Sequence, residues 1–401
     1  MDFAFTDEQK MIRDTTESFL AEVSNSEAIR AAMASDKGYD DALWANVCRD
    51  LFWQAIHIPE QYGGMGLGYV ELVAMLEQMG RHLFCSPFFS TVCFATNALL
   101  LAGTEQQKSE YLPRICSGAT ATLAYAGKNA ASAGGVWGAD AIQVTARREG
   151  DHFILNGVYR YVTDGASAEI LIAAARMPGS AGEEGVSLFV FDSGVAGVER
   201  HKLPTLDQTR KLAEIKLNNV ILPANALMGV EGNAWTKLAK VIDLATIAAA
   251  AEQMGGAQQV LDMAVAYTKE RHQFNRSIAS FQAIKHKAAD MMTRAEVARS
   301  AVYYAACVAQ EALDELHGKK SEIAFELPEA ASIAKAYCSD AYFKNAGDAL
   351  QMHGGVGFTW EYDVHLYFKR AKSSEHFLGN ASYHRDRIAN LVLGEISSVA
   401  Q

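Results

Sequence analysis

Hydrophobic residues recur at helical spacing through the first part of the chain. Ile12 and Phe19 lie seven residues apart, so both fall on one face of a helix. Thr6 and Gln9 precede them as a capping-box pair, in which a hydroxyl caps the helix and a glutamine follows three residues later. The pattern predicts an N-terminal helical domain over residues 1–120.

A second helix of this domain is predicted after residues 104–107, which read Thr-Glu-Gln-Gln. Pro113 is expected to end it, because proline has no N–H to donate and disfavours helical geometry in the residue before it. Both helices belong to the same predicted domain.

Between residues 121 and 230 the pattern changes from helical spacing to short apolar runs. The runs 143–148 and 152–157 flank Glu149-Gly150-Asp151 and predict two strands joined by a tight turn. Three further β-type runs are bounded by glycine, proline or asparagine, at 170–177, 186–192 and 212–222. Together they predict a central, mostly antiparallel β-domain over residues 121–230.

Helical spacing returns over residues 231–401. An alanine-rich stretch at 233–270 and two more at about 281–316 and 325–353 predict long helices, which complete a four-helix bundle with the last segment. Gly255-Gly256 lies inside the first of them and costs roughly 1 kcal/mol per glycine relative to alanine, so close helix packing is expected there. The order of helices, β-domain and bundle predicts a mainly α protein with a β-domain, of the α+β class.

Composition narrows the class of protein. A chain of 401 residues has room for two or three domains, and its net charge of -11 argues against a nucleic-acid partner. No apolar run approaches the roughly 20 residues of a membrane span, and the acidic start MDFAFTDEQK has no signal-peptide order, so a cytoplasmic protein is expected. The six scattered cysteines indicate reduced thiols. No metal is expected, because the late histidines lack metal-ligand spacing: His353, His365, His376 and His384.

Two stretches in the C-terminal region carry residue types suited to a nucleotide cofactor. In RHQFNRSIASFQAIKH, Arg271 has a planar fork that suits a pyrophosphate, while Phe274 and Gln282 suit a flat ring and a hydrogen bond. In QMHGGVGFTWEYD, Gly354 and Gly355 allow a backbone to approach a ligand closely. Taken singly, the arginine could equally be a solvated residue at a helix end, and the glycines a helix C-cap.

In combination, these stretches resemble the acyl-CoA dehydrogenase family of flavoproteins. The shared pattern is R-x-Q-F, a glutamine eleven residues beyond its arginine, and Q-x-x-G-G-x-G about 70 residues later. The resemblance extends over nearly the whole chain, including TEQQKSEYLPRICSG, the Tyr161-Val162-Thr163 triplet and the helix IDLATIAAAAEQMGGAQQVLDMAVAYTKERHQF. In this family a glutamate removes the α-proton of a CoA thioester while the β-hydrogen leaves as hydride to the flavin.

The resemblance implies an FAD site, an acyl-CoA substrate and an electron-accepting flavoprotein. Family members hold FAD across a subunit interface, with the R-x-Q-F arginine and the glycine backbone contributed by a neighbouring chain. The cofactor-binding residues implied for this chain are Arg271, Gln273, Phe274, Gln282, Gln351, Gly354, Gly355, Thr163 and Asn380.

The residues at the family's catalytic positions differ in this chain. The family's aromatic-Glu-Gly-Thr bend reads Phe377-Leu378-Gly379-Asn380 here, and the alternative position for the base is Ala245. A positioned base typically contributes 10²–10⁴-fold to a rate, so its loss is not a neutral change. The substitutes left open are Asp243, Glu375 and His376, and the catalytic residue is left unknown.

The start of the β-domain is also altered. The family's T-E-P-x-A-G-S-D stretch corresponds to residues 126–132, in which only Ser132 keeps a matching hydroxyl. The leading hypothesis is a subunit of a heteromeric, bacterial-type acyl-CoA dehydrogenase, a dimer or tetramer whose homologous partner supplies the base. PTLDQTRKLAE, residues 204–214, also looks like the members that act on steroid side chains.

Three alternatives stay open at the level of sequence. A related oxidase or monooxygenase would need no α-proton base. A self-sufficient dehydrogenase would use a base of another kind, and a purely structural protein would bind no FAD at all.

Overall fold

The computed structural model describes residues 5–127, 137–316 and 318–394. The chain divides into two compact units, each assembled from separate parts of the sequence. The helical unit takes the chain up to Ile29, Tyr69–Phe84 and the chain from Thr246 onward; the sheet unit takes Arg30–Gly68 and Cys85–Ala245. The domain boundaries expected near residues 120 and 230 stay predictions.

α-Helices dominate the fold. They are α1 Asp7–Val23, α2 Ser26–Ala34, α3 Asp41–Asn46, α4 Tyr69–Arg81, α5 Asn97–Ala102, α6 Glu105–Cys116, α7 Trp235–Glu270, α8 Gln282–Leu316, α9 Leu327–His353, α10 Val364–His376 and α11 Ala381–Leu393. Two π-helical segments, Val47–Leu51 and Phe89–Thr96, interrupt the N-terminal part. Across the described ranges, every helix is too short or too polar to cross a bilayer.

Both predicted helix starts in the N-terminal part are confirmed. Thr6 and Thr104 each accept an N–H from the residue three positions later at 3.2 Å, and the glutamine there bonds back to complete a capping box. The predicted stop at Pro113 is wrong, because Pro113 lies inside α6. The helix continues one turn further, since the Pro113 carbonyl accepts both the N–H and the hydroxyl of Ser117, at 3.0 and 2.9 Å.

The sheet unit contains a sheet whose strands follow the predicted apolar runs. They are β1 Ala121–Ala124, β2 Thr145–Glu149, β3 His152–Thr163, β4 Ile170–Arg176, β5 Val186–Asp192, β6 Val198–Lys202, β7 Leu212–Pro223 and β8 Leu227–Met228. The order across the sheet is β6-β7-β3-β2-β4-β5-β8, with β1 beside β4. Glu149 pairs with His152, which confirms the tight turn between β2 and β3.

The sheet is mixed but mostly antiparallel, which confirms the predicted mostly antiparallel pairing. Most pairs are antiparallel, but β1 pairs with β4 in parallel register from Ala121 opposite Ile170 to Ala124 opposite Ala173, and β2 also meets β4 in parallel. β1 enters the sheet from α6 rather than from a hairpin, so nothing in the local pattern reveals its direction. Apolar side chains fill one face of the sheet, including Phe153 and Phe189, whose rings lie 5.0 Å apart.

The predicted long helices of the C-terminal region are confirmed as α7, α8 and α9. The last segment differs from the expected fourth helix, because it divides into α10 and α11 at Phe377–Asn380. The chain turns there through Leu378 and Gly379, both with positive φ angles, of 60° and 101°.

Close helix packing at the glycine pair is confirmed within the helical unit. A Cβ at Gly255 of α7 would lie 1.8 Å from the carbonyl oxygen of Glu77, and a Cβ at Gly80 of α4 would lie 2.0 Å from that of Glu252. The two helices therefore cross with backbone against backbone at two reciprocal glycines.

Candidate functional site

The R-x-Q-F motif forms a small hairpin between α7 and α8. Its strands are β9 His272–Gln273 and β10 Arg276–Ser277, and both turn residues have positive φ angles, of 54° at Phe274 and 58° at Asn275. Such a turn matches the twist of a hairpin but favours asparagine or glycine at both positions. A phenylalanine there carries local strain, which is typical of a functional position rather than a packing one.

The strained turn presents an aromatic ring to the outside. Phe274 is 86% exposed, and its ring meets only the edge of Phe281 at 6.1 Å among the ring contacts in the described chain. Phe281 in turn lies under the guanidinium of Arg276 at 4.0 Å. The hairpin is thus braced at its base while its tip is available to another surface.

The polar residues implied for the nucleotide site surround this hairpin. Arg271 follows α7 directly, Gln273 lies in β9 and Gln282 begins α8, and all three are exposed. The Arg271 carbonyl accepts the N–H of Ile278 at 2.9 Å, which fixes the backbone from which the guanidinium extends. These positions suit a diphosphate that approaches from outside the chain.

The glycine motif follows α9 directly. Gln351 is exposed in the last turn, and Gly354 has a φ of 65° that only glycine adopts without strain. Gly355 has no such angle, and a Cβ there would meet no described atom within 4 Å. Nothing in the described chain therefore requires glycine at 355, which suits a backbone that another molecule approaches closely.

The structure brings the two motifs together. Tyr267, one turn before Arg271, stacks on His353 with ring centroids 4.4 Å apart, and Tyr362 meets both rings edge-on. Burial lowers the pKa of His353, which favours the neutral form of the stacked ring. The end of α7 and the end of α9 are held side by side, and the arginine and the glycines lie at the same end of the bundle.

Thr163 belongs to the sheet unit and has a buried side chain. It ends β3, is 2% exposed, and its hydroxyl has no hydrogen-bond partner among the described residues. Its backbone is held, because the Thr163 carbonyl accepts the hydroxyl of Thr122 at 2.7 Å. A buried hydroxyl without a partner is costly, and a ligand that hydrogen-bonds to it would remove the cost.

The backbone around Thr163 is irregular on both sides. A β-bulge separates Tyr159 from Val162, and Tyr161 within it has a φ of 60°. Asp164 has a φ of 53°, and its carboxylate accepts the hydroxyl of Ser90 at 2.7 Å. Bulges of this kind redirect side chains beside active sites. Ser132 lies outside the described residues.

The bend at Phe377–Asn380 holds no proton acceptor at the family's base position. Leu378 is 1% exposed, and Ala245 on α7 is fully buried. Asn380 caps α11, because its side-chain oxygen accepts the N–H of Tyr383 at 2.9 Å. The oxygen of Asn380 is therefore already engaged within the chain.

The substitute bases are placed as follows. Glu375 pairs with Lys372 at 2.8 Å, and His376 is exposed at the end of α10. Asp243 is 2% exposed on α7. The described residues contain no group of three or more histidine, cysteine or acidic side chains suited to a metal ion.

Sequence reasoning missed a buried polar network behind the bend. Lys335 of α9 is fully buried and donates to carbonyls of the bend, joined by Gln253 of α7 and His384 of α11. The available signal was a lysine inside the apolar run SIAKAYC of a predicted helix.

Comparison with known proteins identifies the class to which this fold and site belong. The chain matches the acyl-CoA dehydrogenase N-terminal domain over residues 6–119 and the acyl-CoA dehydrogenase C-terminal domain over residues 234–393. It therefore belongs to the acyl-CoA dehydrogenase family, whose members are FAD-dependent oxidoreductases.

Individual relatives cover almost the whole chain. Acyl-CoA dehydrogenase IpdE2 of Mycolicibacterium smegmatis is 31% identical over 375 residues, which span 93% of this chain and 95% of that protein. The solved structure of butyryl-CoA dehydrogenase from Megasphaera elsdenii aligns with a TM-score of 0.86 at 26% identity, covering 98% of this chain and 100% of that one. A variant of the Tcur3481–Tcur3483 steroid ACAD aligns with a TM-score of 0.82 at 26% identity, covering 96% and 98%.

Proposed function

We propose that this chain is one subunit of a heteromeric acyl-CoA dehydrogenase that desaturates a CoA thioester. It grips the adenine and diphosphate end of an FAD at an interface with a homologous subunit, and that partner supplies the catalytic base. The observation that carries the proposal is the contrast between two sites. The nucleotide residues form an exposed, braced cluster at one end of the bundle, whereas a buried leucine occupies the base position.

The residues present fit the cofactor. Arg271 would meet the diphosphate, and Phe274 and the backbone at Gly355 would meet the nucleotide. FAD, when bound, accepts the hydride that leaves the β-carbon. The chain's own contribution is binding and orientation, because Leu378 accepts no proton.

The comparisons support a paired assembly and a lipid-like substrate. The Tcur3481–Tcur3483 steroid ACAD has a name that joins two designations, and it shares this chain's fold over nearly its full length. IpdE2 is named an acyl-CoA dehydrogenase. We therefore propose an acyl-CoA substrate, an electron-accepting flavoprotein as redox partner, and a cytoplasmic location.

The test begins with the chain purified alone and then co-expressed with a family member that carries the glutamate. Alone, the chain should be colourless or poorly folded; the pair should contain FAD that an acyl-CoA bleaches without oxygen. Arg271→Ala in this chain should lower the FAD content of the pair, while Arg385→Ala, at an exposed arginine of α11, serves as the matched control. A lone chain that holds stoichiometric FAD and desaturates a thioester would contradict the proposal.

A second candidate is an oxidase or monooxygenase of the same fold. The unpartnered hydroxyl of Thr163 favours it, because that hydroxyl suits a flavin held by this chain itself. Oxygen uptake that depends on NADH, a reductase and an aromatic or amine substrate would support this candidate. A chain without bound flavin in any assembly excludes it.

A further inference from the structure

A lysine is buried against the bend that replaces the family's catalytic turn. Lys335 lies in the middle of α9 and is fully buried. Its ammonium donates to the carbonyls of Ser374, Glu375 and Gly379 at 3.1, 3.2 and 3.0 Å, and to the hydroxyl of Ser339 at 2.8 Å. Three of these four acceptors belong to residues 374–380, which comprise the end of α10 and the bend at Phe377–Asn380.

The ammonium group is matched to this environment. It has three protons and no acceptor, so the surrounding oxygens use its full donor capacity. Ser374 and Glu375 lie in the last turn of α10, where unpaired carbonyls carry partial negative charge that favours a cation. Burial of a charge is tolerated only where it is compensated in this way.

Two other helices hold the same bend. Gln253 of α7 donates to the Ser374 carbonyl at 3.0 Å and to the Ser339 hydroxyl at 3.1 Å. His384 of α11 donates from Nε2 to the Leu378 carbonyl at 3.0 Å. Polar side chains from three helices therefore bind the carbonyls of residues 374, 375, 378 and 379.

This network explains how a leucine adopts a conformation that leucine disfavours. Leu378 has a φ of 60°, which a side chain with a Cβ adopts only when the surroundings impose it. The next residue must be glycine, since a Cβ at Gly379 would lie 2.4 Å from Cδ1 of Tyr383. His384 donates to the carbonyl of Leu378, and Lys335 donates to the carbonyl of Gly379. Both residues with positive φ angles therefore have a bound carbonyl.

We propose that Lys335 is a positioning residue, which holds the bend so that residue 378 and the Asn380 cap keep one fixed orientation toward the thioester site. The proposal rests on the proposed function only in assigning the bend to that site. The claim that Lys335 holds the bend in place depends only on contacts within this chain.

Amide hydrogen exchange of the full chain tests this directly, measured on the lone chain where it folds and otherwise on the co-expressed pair. Lys335→Met should raise exchange in the peptide spanning residues 374–384 by about tenfold or more, with the rest of α9 little changed. Ser339→Ala, which removes one acceptor of the ammonium, should raise it less in the same peptide. Lys344→Met is the matched control, because Lys344 is exposed on the same helix and should have no effect.

The pH profile separates positioning from simple packing. Burial lowers the pKa of Lys335 to about 7, and the charged or titratable groups around it are Cys338 and Asp340 on α9, Glu375 on α10 and His384 on α11. Above this pH the neutral amine has two N–H donors instead of three. The amide exchange rate in the bend should then increase with pH by more than the intrinsic exchange rate does. In Lys335→Met that extra rise should be absent.

The proposal is wrong if exchange in the bend is unchanged in both Lys335→Met and Ser339→Ala, or rises evenly across α7 to α11 in both. If Lys335→Met does not fold, the Ser339→Ala result and the wild-type pH profile decide the matter. These measurements need neither FAD nor substrate, so their failure is distinguishable from failure of the proposed function.

Discussion

Position 378 limits what this chain can do to a thioester. Leu378 is buried and held in a left-handed conformation by its neighbours, so its surroundings impose the backbone while its side chain offers no proton acceptor. The bend thus has a fixed backbone, and its side chain at position 378 cannot accept a proton.

Restoring a carboxylate at this position should restore proton abstraction. In the FAD-containing assembly whose partner carries glutamine in place of its glutamate base, Leu378→Glu should increase exchange of the α-proton of an acyl-CoA with deuterated water, on the order of 10²-fold or more. Leu378→Gln has nearly the same shape but no base and is the matched control. Equal exchange rates in the two variants would show that the bend does not face the thioester.

A buried histidine in the sheet unit gives an acid-sensitivity prediction. Burial lowers the pKa of His57 to about 4, and its Nε2 bonds to the side-chain oxygen of Asn97 at 2.9 Å. Because the histidine binds protons more tightly in the unfolded chain, the free energy of unfolding is highest above about pH 6.5. It decreases as the pH falls toward 4. Over this pH range the free energy of unfolding should decrease by about 3 kcal/mol, since each pKa unit corresponds to about 1.4 kcal/mol.

Denaturant unfolding at several pH values measures this effect. His57→Gln removes the titrating group while keeping a side chain that hydrogen-bonds, so its stability should fall less steeply between pH 6.5 and 4. A variant with the same slope as the wild type would assign the acid sensitivity to other groups, among them His384.

At the scale of elements, the crossing of α4 and α7 depends on two glycines. Each faces a backbone carbonyl of the other helix, and backbone does not move aside as a flexible side chain does. The helix-propensity cost of Gly255 is therefore offset by a close contact that no larger residue allows.

Gly255→Ala should destabilise the chain by about 1–3 kcal/mol or more, because the added methyl group would overlap the Glu77 carbonyl. Gly347→Ala is the matched control, since its Cβ would meet only Phe368 at an ordinary 3.9 Å. That variant should be neutral or stabilising by up to about 1 kcal/mol. Thermal unfolding compares the two, and equal effects would contradict the close crossing.

At the scale of the whole molecule, the strained and exposed hairpin tip at Phe274 is expected to pack against another surface. Phe274 is 86% exposed in a conformation that phenylalanine disfavours, so it contributes little to the folded chain alone. In an assembly that holds FAD between subunits, the same ring would gain a partner.

Phe274→Gly should therefore separate stability from binding. The chain's thermal midpoint should stay unchanged or rise slightly, because glycine relieves the positive φ, whereas the assembly should retain less FAD after gel filtration. Phe325→Ala is the control, since Phe325 is 79% exposed elsewhere in the helical unit. FAD retention equal to that of the wild type would remove Phe274 from the proposed site.

Much of the fold was predictable because its signals are local. The capping boxes at Thr6 and Thr104, the turn between β2 and β3, and helices α7 to α9 depend on residues within one or two turns of each other. The features that the sequence did not predict depend on distant residues, whereas the wrong helix stop at Pro113 is a local error. The parallel pairing of β1 with β4 and the division of the last segment at Leu378 both require partners elsewhere in the chain.

By itself, the sequence determined the kinds of elements, their order, the family and the absence of a base at residue 378, because periodicity and motif spacing are written in neighbouring positions. Only the tertiary structure revealed that Tyr267 and His353 join the R-x-Q-F and glycine motifs and that Lys335 lies behind the bend. Both facts arise from contacts between residues at least 39 positions apart in the sequence, and such contacts leave no periodic trace in either helix.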